Sequence, residues 1–270
     1  MKKIMTNEYS DRLSHWMRTL QNDFYEPIGE LEFDGFFTFD DLSLEEAQAV
    51  SFQPMPSGTE WGHTWEYLWL KSCIVLPREA QGQPIVMNLD LGGEAALFVN
   101  GEAFGTRRAE WVNVPHHYMV DNFLTQRGET GSAYDLLFEV YAGHYFPDAG
   151  GCCTGPVLPG SYQDPKTEGK RAVLGQSTYG IWREEAYQLW LDVNTLQLLY
   201  DQLPEDDLRT AQIADALEAF THLVDFEQDA GGRLADYRRA REMLRPCLEA
   251  VNGTAQAQMY AVGNAHLDLA

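Results

Sequence analysis

The sequence predicts a mainly β fold: an antiparallel, jelly-roll-like β-sandwich with an N-terminal helix and a C-terminal α-helical linker. Three observations carry this. Between residues 28 and 182, short apolar or alternating runs are separated by Gly, Pro and Asn signals. Asn100-Gly101 divides two such runs as a two-residue hairpin turn would. After residue 183 the apolar positions recur at a near-3.6 spacing, the period of a helix.

Taken in order, residues 10–25 read as an amphipathic helix with Leu13, Trp16, Met17, Leu20 and Phe24 on one face and Ser10 as N-cap. Strands are expected at 32–39, 66–75, 85–91, 95–99, 111–114 and 134–141, a spacing that suits a sandwich. The Gly- and Pro-rich stretch 142–180 reads as a long loop over one end of it. A short return strand and a helix follow between 183 and 200. A helix is expected over 205–228, with Glu205, Asp206 and Asp207 in its first turn and Gly231-Gly232 ending the unit. Another covers 233–250 and stops at Asn252-Gly253. The segment 259–270 is apolar on both faces, as in a strand buried within a parallel sheet. No further strand–helix units follow, so the sequence reads as cut from a longer protein. The expected divisions are 1–27, 28–182, 183–257 and 258–270.

Composition narrows the function. Asp and Glu total 41 against 19 Lys and Arg, a net charge of −22, which repels phosphate backbones and anionic bilayers. Nucleic acid and membrane are therefore not expected partners. The four cysteines form no C-x-x-C, and the adjacent pair Cys152-Cys153 cannot bridge without strain. Free thiols and an N-terminus without a signal-peptide pattern fit a cytoplasmic protein.

His266-x-Asp268 is the motif with the most chemistry. On a strand, residues i and i+2 face the same way, so imidazole and carboxylate converge at a strand's C-terminal end. Both are ordinary zinc ligands. An isolated His-x-Asp is more often a surface pair, and two ligands do not fill a metal's shell. Trp65, Tyr67 and Trp69 alternate on one strand face, with Leu68 and Leu70 on the other. A core strand is the preferred reading over a sugar-stacking platform, because exposed aromatic ladders are uncommon. Trp61 and His63 lie in an expected loop before that strand and are the candidate substrate contacts. His116-His117, His144 and the acidic pair Glu184-Glu185 read as structural.

The segment Val262-Gly263-Asn264-Ala265-His266-Leu267-Asp268-Leu269-Ala270 resembles the start of the catalytic domain of glycoside hydrolase family 38, the α-mannosidases. There a G-x-A-H-x-D-x-A-W stretch forms the first strand of the catalytic (β/α) barrel. Upstream, Trp61-Gly62-His63-Thr64-Trp65-Glu66-Tyr67-Leu68-Trp69 resembles that family's F-G-x-T-W-x-x-x-W signature, with Trp61 in place of Phe. Residues 93–101 resemble its Gly-to-Asn-Gly hairpin. The match is nearest to the cytoplasmic/vacuolar and bacterial branch.

The resemblance implies the N-terminal part of a zinc-dependent, retaining α-mannosidase, with its helical linker leading into the first strand of a truncated barrel. His266 and Asp268 would bind zinc. The zinc would hold sugar hydroxyls rather than activate water. The nucleophile and the acid/base would lie beyond residue 270, so no catalytic residue falls within the chain and it is expected to be inactive alone. Its own work would be barrel support and subunit contacts in a homo-oligomer. The alternative readings are a carbohydrate-binding sandwich module and a purely structural assembly domain.

Overall fold

Two long strands organise the sandwich by sending every second apolar side chain into one core. The computed structural model describes residues 6–63, 65–107, 115–120, 122–143, 172–250 and 260. In chain order the elements are α1 (Asn7–Asn22), β1 (Tyr25–Glu30), β2 (Phe33–Thr38), α2 (Leu44–Ala49), β3 (Gln53–Met55), β4 (Glu60–Trp61) and β5 (Tyr67–Val75). A short 3₁₀ turn at Arg78–Ala80 precedes β6 (Ile85–Asn88), β7 (Glu94–Val99), β8 (Glu102–Arg107), α3 (His117–Val120), β9 (Phe123–Thr125) and β10 (Ala133–Tyr141). The remainder are β11 (Ala172–Val173), β12 (Thr178–Trp182), α4 (Glu184–Gln202), α5 (Leu208–Leu223) and α6 (Ala230–Leu248). The chain divides into two compact units, 23–184 and 1–22 with 185–270.

Among the described residues of the first unit every strand pair is antiparallel. One sheet runs β3-β2-β5-β10-β7-β8, another β1-β12-β6-β9, and β11 pairs with β4. Prolines sit only where the ladder tolerates them: Pro27 on edge strand β1 and Pro54 on edge strand β3. Leu68, Leu70 and Ile74 of β5 and Leu136, Phe138 and Val140 of β10 are buried on one face of the larger sheet. They share a single apolar core with Ile85 and Met87 of β6 and Tyr179 and Ile181 of β12. Side chains from the facing sheets interdigitate this way in a sandwich. The fold is mainly antiparallel β with added helices, as the sequence predicts. The Asn100-Gly101 turn also forms: φ is 53° and 82°, the left-handed pair that a two-residue β7–β8 hairpin requires.

In the second unit α1 packs on α5. The Arg12 guanidinium donates to the Thr221 carbonyl at 2.7 Å, and Trp16 stacks on Phe226 with ring centroids 4.0 Å apart. Arg241 of α6 pairs with Asp192 of α4 at 2.8 Å. Leu13, Met17 and Leu20 are buried, as the amphipathic pattern requires.

Several boundaries differ from expectation. Helix α1 begins at Asn7, where the Thr6 hydroxyl accepts from the Tyr9 amide, so Ser10 is not the N-cap. The return strand β12 precedes residue 183 rather than following it. Asp207 is the N-cap of α5, its carboxylate accepting from the Arg209 amide, so the acidic trio lies ahead of the first turn. Gly231-Gly232 opens α6 instead of ending a unit. Asp229 caps that helix by accepting from the Gly232 amide at 2.9 Å, and first-turn amides have no intrahelical partner to lose. The expected strands at 111–114 and 259–270, apart from the exposed Tyr260, and the stop at Asn252-Gly253 lie outside the described residues.

Among the described residues of this helical unit, Asp236 is the buried acid, 4% exposed. Burial pushes its carboxyl up, but the Arg239 guanidinium and the Asp225 amide hydrogen-bond to it and outweigh that, holding it below the usual range. A carboxyl depressed in the folded state stabilises above its unfolded pKa of about 3.9 and loses that contribution as pH falls through the folded value. Asp236→Asn is expected to destabilise by about 2 kcal/mol at neutral pH, the range of a hydrogen bond to a charged group. Urea titrations at pH 7 and below pH 3 check this: the gap between the two proteins should close in acid.

Candidate functional site

The signature segment around Trp61 folds into a closed structural loop. Trp61 closes the β4 strand, pairs with Ala172 of β11, and is fully buried. Its indole N–H donates to the Leu91 carbonyl at 3.1 Å. A Cβ on Gly93 would come within 3.0 Å of the ring, and one on Gly92 within 2.9 Å of the indole nitrogen. The two signature segments, 61–69 and 93–101, therefore meet at the Trp61 ring. This corrects the expectation that Trp61 lies on the surface as a substrate contact. Its strand is only two residues long and its partner lies far along the chain, so no local period marks it.

Glu66 holds the turn from inside. It is 5% exposed, and its Oε2 accepts from the amides of Gly62 at 2.8 Å and His63 at 3.0 Å. The Glu66 amide donates back to the His63 carbonyl, and its own carbonyl accepts from Ala142. Within this turn Gly62 and Trp65 both take positive φ, 93° and 68°. For tryptophan that is an uncommon backbone state, held by the Trp65 amide donating to Gly143. Glu66 carries no strong mark in the sequence. The available signal was a carboxylate four residues after a glycine at a turn. His63 is half-buried, with its ring 6.4 Å from Phe39 and its backbone committed to Glu66.

The other face of the larger sheet carries the aromatic row. Tyr67 and Trp69 of β5 point away from the core that Leu68 and Leu70 enter. Trp69 is nonetheless 1% exposed, and its indole nitrogen has no hydrogen-bond partner. Across the strands Tyr67 pairs with Tyr141 and Trp69 with Glu139. The Tyr67 and Tyr141 rings lie 5.0 Å apart. With Glu94, Thr106, Arg107 and Glu139 they line a cleft of about 410 Å³. Burial and the nearby Asp41 charge push the Glu139 carboxyl up. Burial raises the Tyr67 and Tyr141 phenols as well.

A family model described as "Alpha-mannosidase, jelly roll domain" matches residues 32–165. The sandwich belongs to this α-mannosidase jelly-roll family. Alpha-mannosidase 2C1 of Mus musculus is 23% identical over 237 residues, which cover 87% of this chain. The chain spans only 21% of that relative's length. Among solved structures, a β-glucuronidase from Ruminococcus gnavus in complex with uronic isofagomine aligns over 58% of this chain and 28% of its own. The identity is 12% and the TM-score 0.34. The same enzyme in complex with D-glucuronic acid aligns over 58% and 29%, with 11% identity and a TM-score of 0.33. At those scores the likeness carries no argument.

In the α-mannosidase jelly roll, Trp61 and Glu66 are therefore parts of the scaffold. His266 and Asp268 lie outside the described residues, as do Cys152, Cys153 and His144. Among the described residues no group of three or more His, Cys, Asp or Glu is placed to hold a metal. His116 packs edge-on against Phe24 with centroids 6.1 Å apart, as a structural histidine would. Desolvation, the Asp135 charge and a hydrogen bond to Asp135 raise the exposed Cys73 thiol, which disfavours the nucleophilic thiolate. No helix among the described residues is long and apolar enough to cross a membrane.

Proposed function

We propose that this chain is the N-terminal part of a zinc-dependent, retaining α-mannosidase, and that the sandwich and helices support a catalytic region without acting on substrate at its centre. The observation that carries the reading is the α-mannosidase jelly-roll match over 32–165 in the same chain as Gly263-Asn264-Ala265-His266-Leu267-Asp268. The small share of the mouse relative that the chain spans agrees with a catalytic region in the remainder.

His266 would offer a ring nitrogen and Asp268 a carboxylate oxygen, both normal zinc donors. Zinc, when bound, would supply Lewis-acid contacts to sugar hydroxyls and orient the ring. The other ligands and the two catalytic carboxyls would come from residues after 270. Retention requires those carboxyls to act as nucleophile and acid/base in two steps. The same reading carries a cytoplasmic location and self-association of the whole protein.

The test is hydrolysis of 4-nitrophenyl α-D-mannopyranoside by the product of the full open reading frame containing this chain, followed by NMR. Release of α-mannose first is the expected result, with no turnover by residues 1–270 alone. Absence of α-mannosidase activity, or β-mannose as first product, would contradict the reading.

A further inference from the structure

We propose that the outer face of the six-stranded sheet carries a binding site of its own for a neutral hexopyranoside, centred on Tyr67, Tyr141 and Glu139. The proposal does not depend on the α-mannosidase reading, because every residue it uses belongs to the sandwich.

Geometry comes first. Tyr67 and Tyr141 are directly paired across β5 and β10, with rings 5.0 Å apart and inclined at 32°. Both are half-buried, so they present rigid apolar surface without being consumed by the core. Glu139 lies two residues before Tyr141 and therefore on the same face. Arg107 and Thr106 approach from β8 and Glu94 from β7. The open cleft of about 410 Å³ falls at the small end of the roughly 300–1,000 Å³ usual for small-molecule clefts.

The chemistry then selects the ligand. A pyranose has one face of C–H groups and an edge of hydroxyls. The tyrosine rings suit the first. For the second, carboxylates accept hydroxyl hydrogens and a guanidinium donates to ring or hydroxyl oxygens, as charge-assisted bonds. Glu94, Glu139 and the neighbouring Asp41 outnumber Arg107, so the cleft is acidic and repels uronic acids and sugar phosphates. The chain's net charge of −22 adds to that repulsion. A purely structural surface would not need two tyrosines around a half-buried carboxyl group.

Saturation-transfer NMR and calorimetry on the 270-residue chain test this with methyl α-D-mannopyranoside, methyl β-D-glucopyranoside and sodium glucuronate. At least one neutral glycoside should bind with a dissociation constant of about 1 mM, a modest affinity for one sugar ring. Glucuronate should not bind. Tyr141→Ala and the near-isosteric Glu139→Gln should each weaken binding at least about tenfold, a loss of some 1.4 kcal/mol. Tyr260→Ala, an exposed position, should leave it unchanged. If no neutral glycoside binds, or if Glu139→Gln retains full affinity while melting like the parent, the assignment is overturned. Loss of mannosidase activity in the longer protein would leave these binding results untouched, so the two readings fail separately.

Discussion

Trp61→Ala should lower the stability of the sandwich by about 4 kcal/mol, within the range for truncating a fully buried tryptophan. The loss has two parts. The ring fills the space under the Leu91-Gly92-Gly93 turn, and its N–H satisfies the Leu91 carbonyl at 3.1 Å. Trp61→Phe separates them. It keeps most of the volume and gives up the hydrogen bond, for an expected cost of about 1 kcal/mol. Phenylalanine is also what the glycoside hydrolase family 38 signature carries at this place, which agrees with a packing role. Urea denaturation followed by circular dichroism reads both. A Trp61→Ala loss below about 1 kcal/mol would return Trp61 to the surface.

Glu66→Ala should cost about 3 kcal/mol. A single carboxylate oxygen serves the amides of Gly62 and His63 from a nearly water-free position, and removing it leaves two donors without their acceptor. The damage should be local. Amide exchange at Gly62 and His63 should accelerate well before the β5–β10 ladder is affected. Glu66→Gln keeps an acceptor oxygen of the same reach and should cost less than half as much. Equal costs for the two variants would mean that the charge, rather than the acceptor geometry, holds the turn.

These two residues also mark where the sequence stopped being legible. Strand β10 could be read because its burial alternates with period two, and β5 because Leu68, Leu70 and Ile74 keep one apolar face. The β7–β8 hairpin could be read because Asn100-Gly101 is a local signal for a local structure. Trp61 could not, because β4 exists only through its pairing with β11, more than a hundred residues later. Glu66 could not, because a buried carboxylate is indistinguishable from a solvated one until the loop that wraps it is known. The aromatic row was readable as alternation but not in depth: Trp69 is buried on the face opposite the core, while Tyr67, two residues before it, opens into a cleft. Gly231-Gly232 looked like a terminator because glycine is common after helices. Asp229, two residues earlier, decided otherwise by capping a new one. The proposed metal pair is legible only through resemblance, since His266-x-Asp268 on spacing alone is ordinary.

Under the proposed function, His266 and Asp268 would be the first two metal ligands of a zinc-dependent α-mannosidase. The most direct measurement is zinc content by mass spectrometry on the dialysed product of the full reading frame, for the parent and for Asp268→Ala. About one zinc per chain is expected in the parent and a fall of at least about tenfold in the variant, with the sandwich still folded. A parent without zinc, or a variant that retains it in full, would contradict the claim.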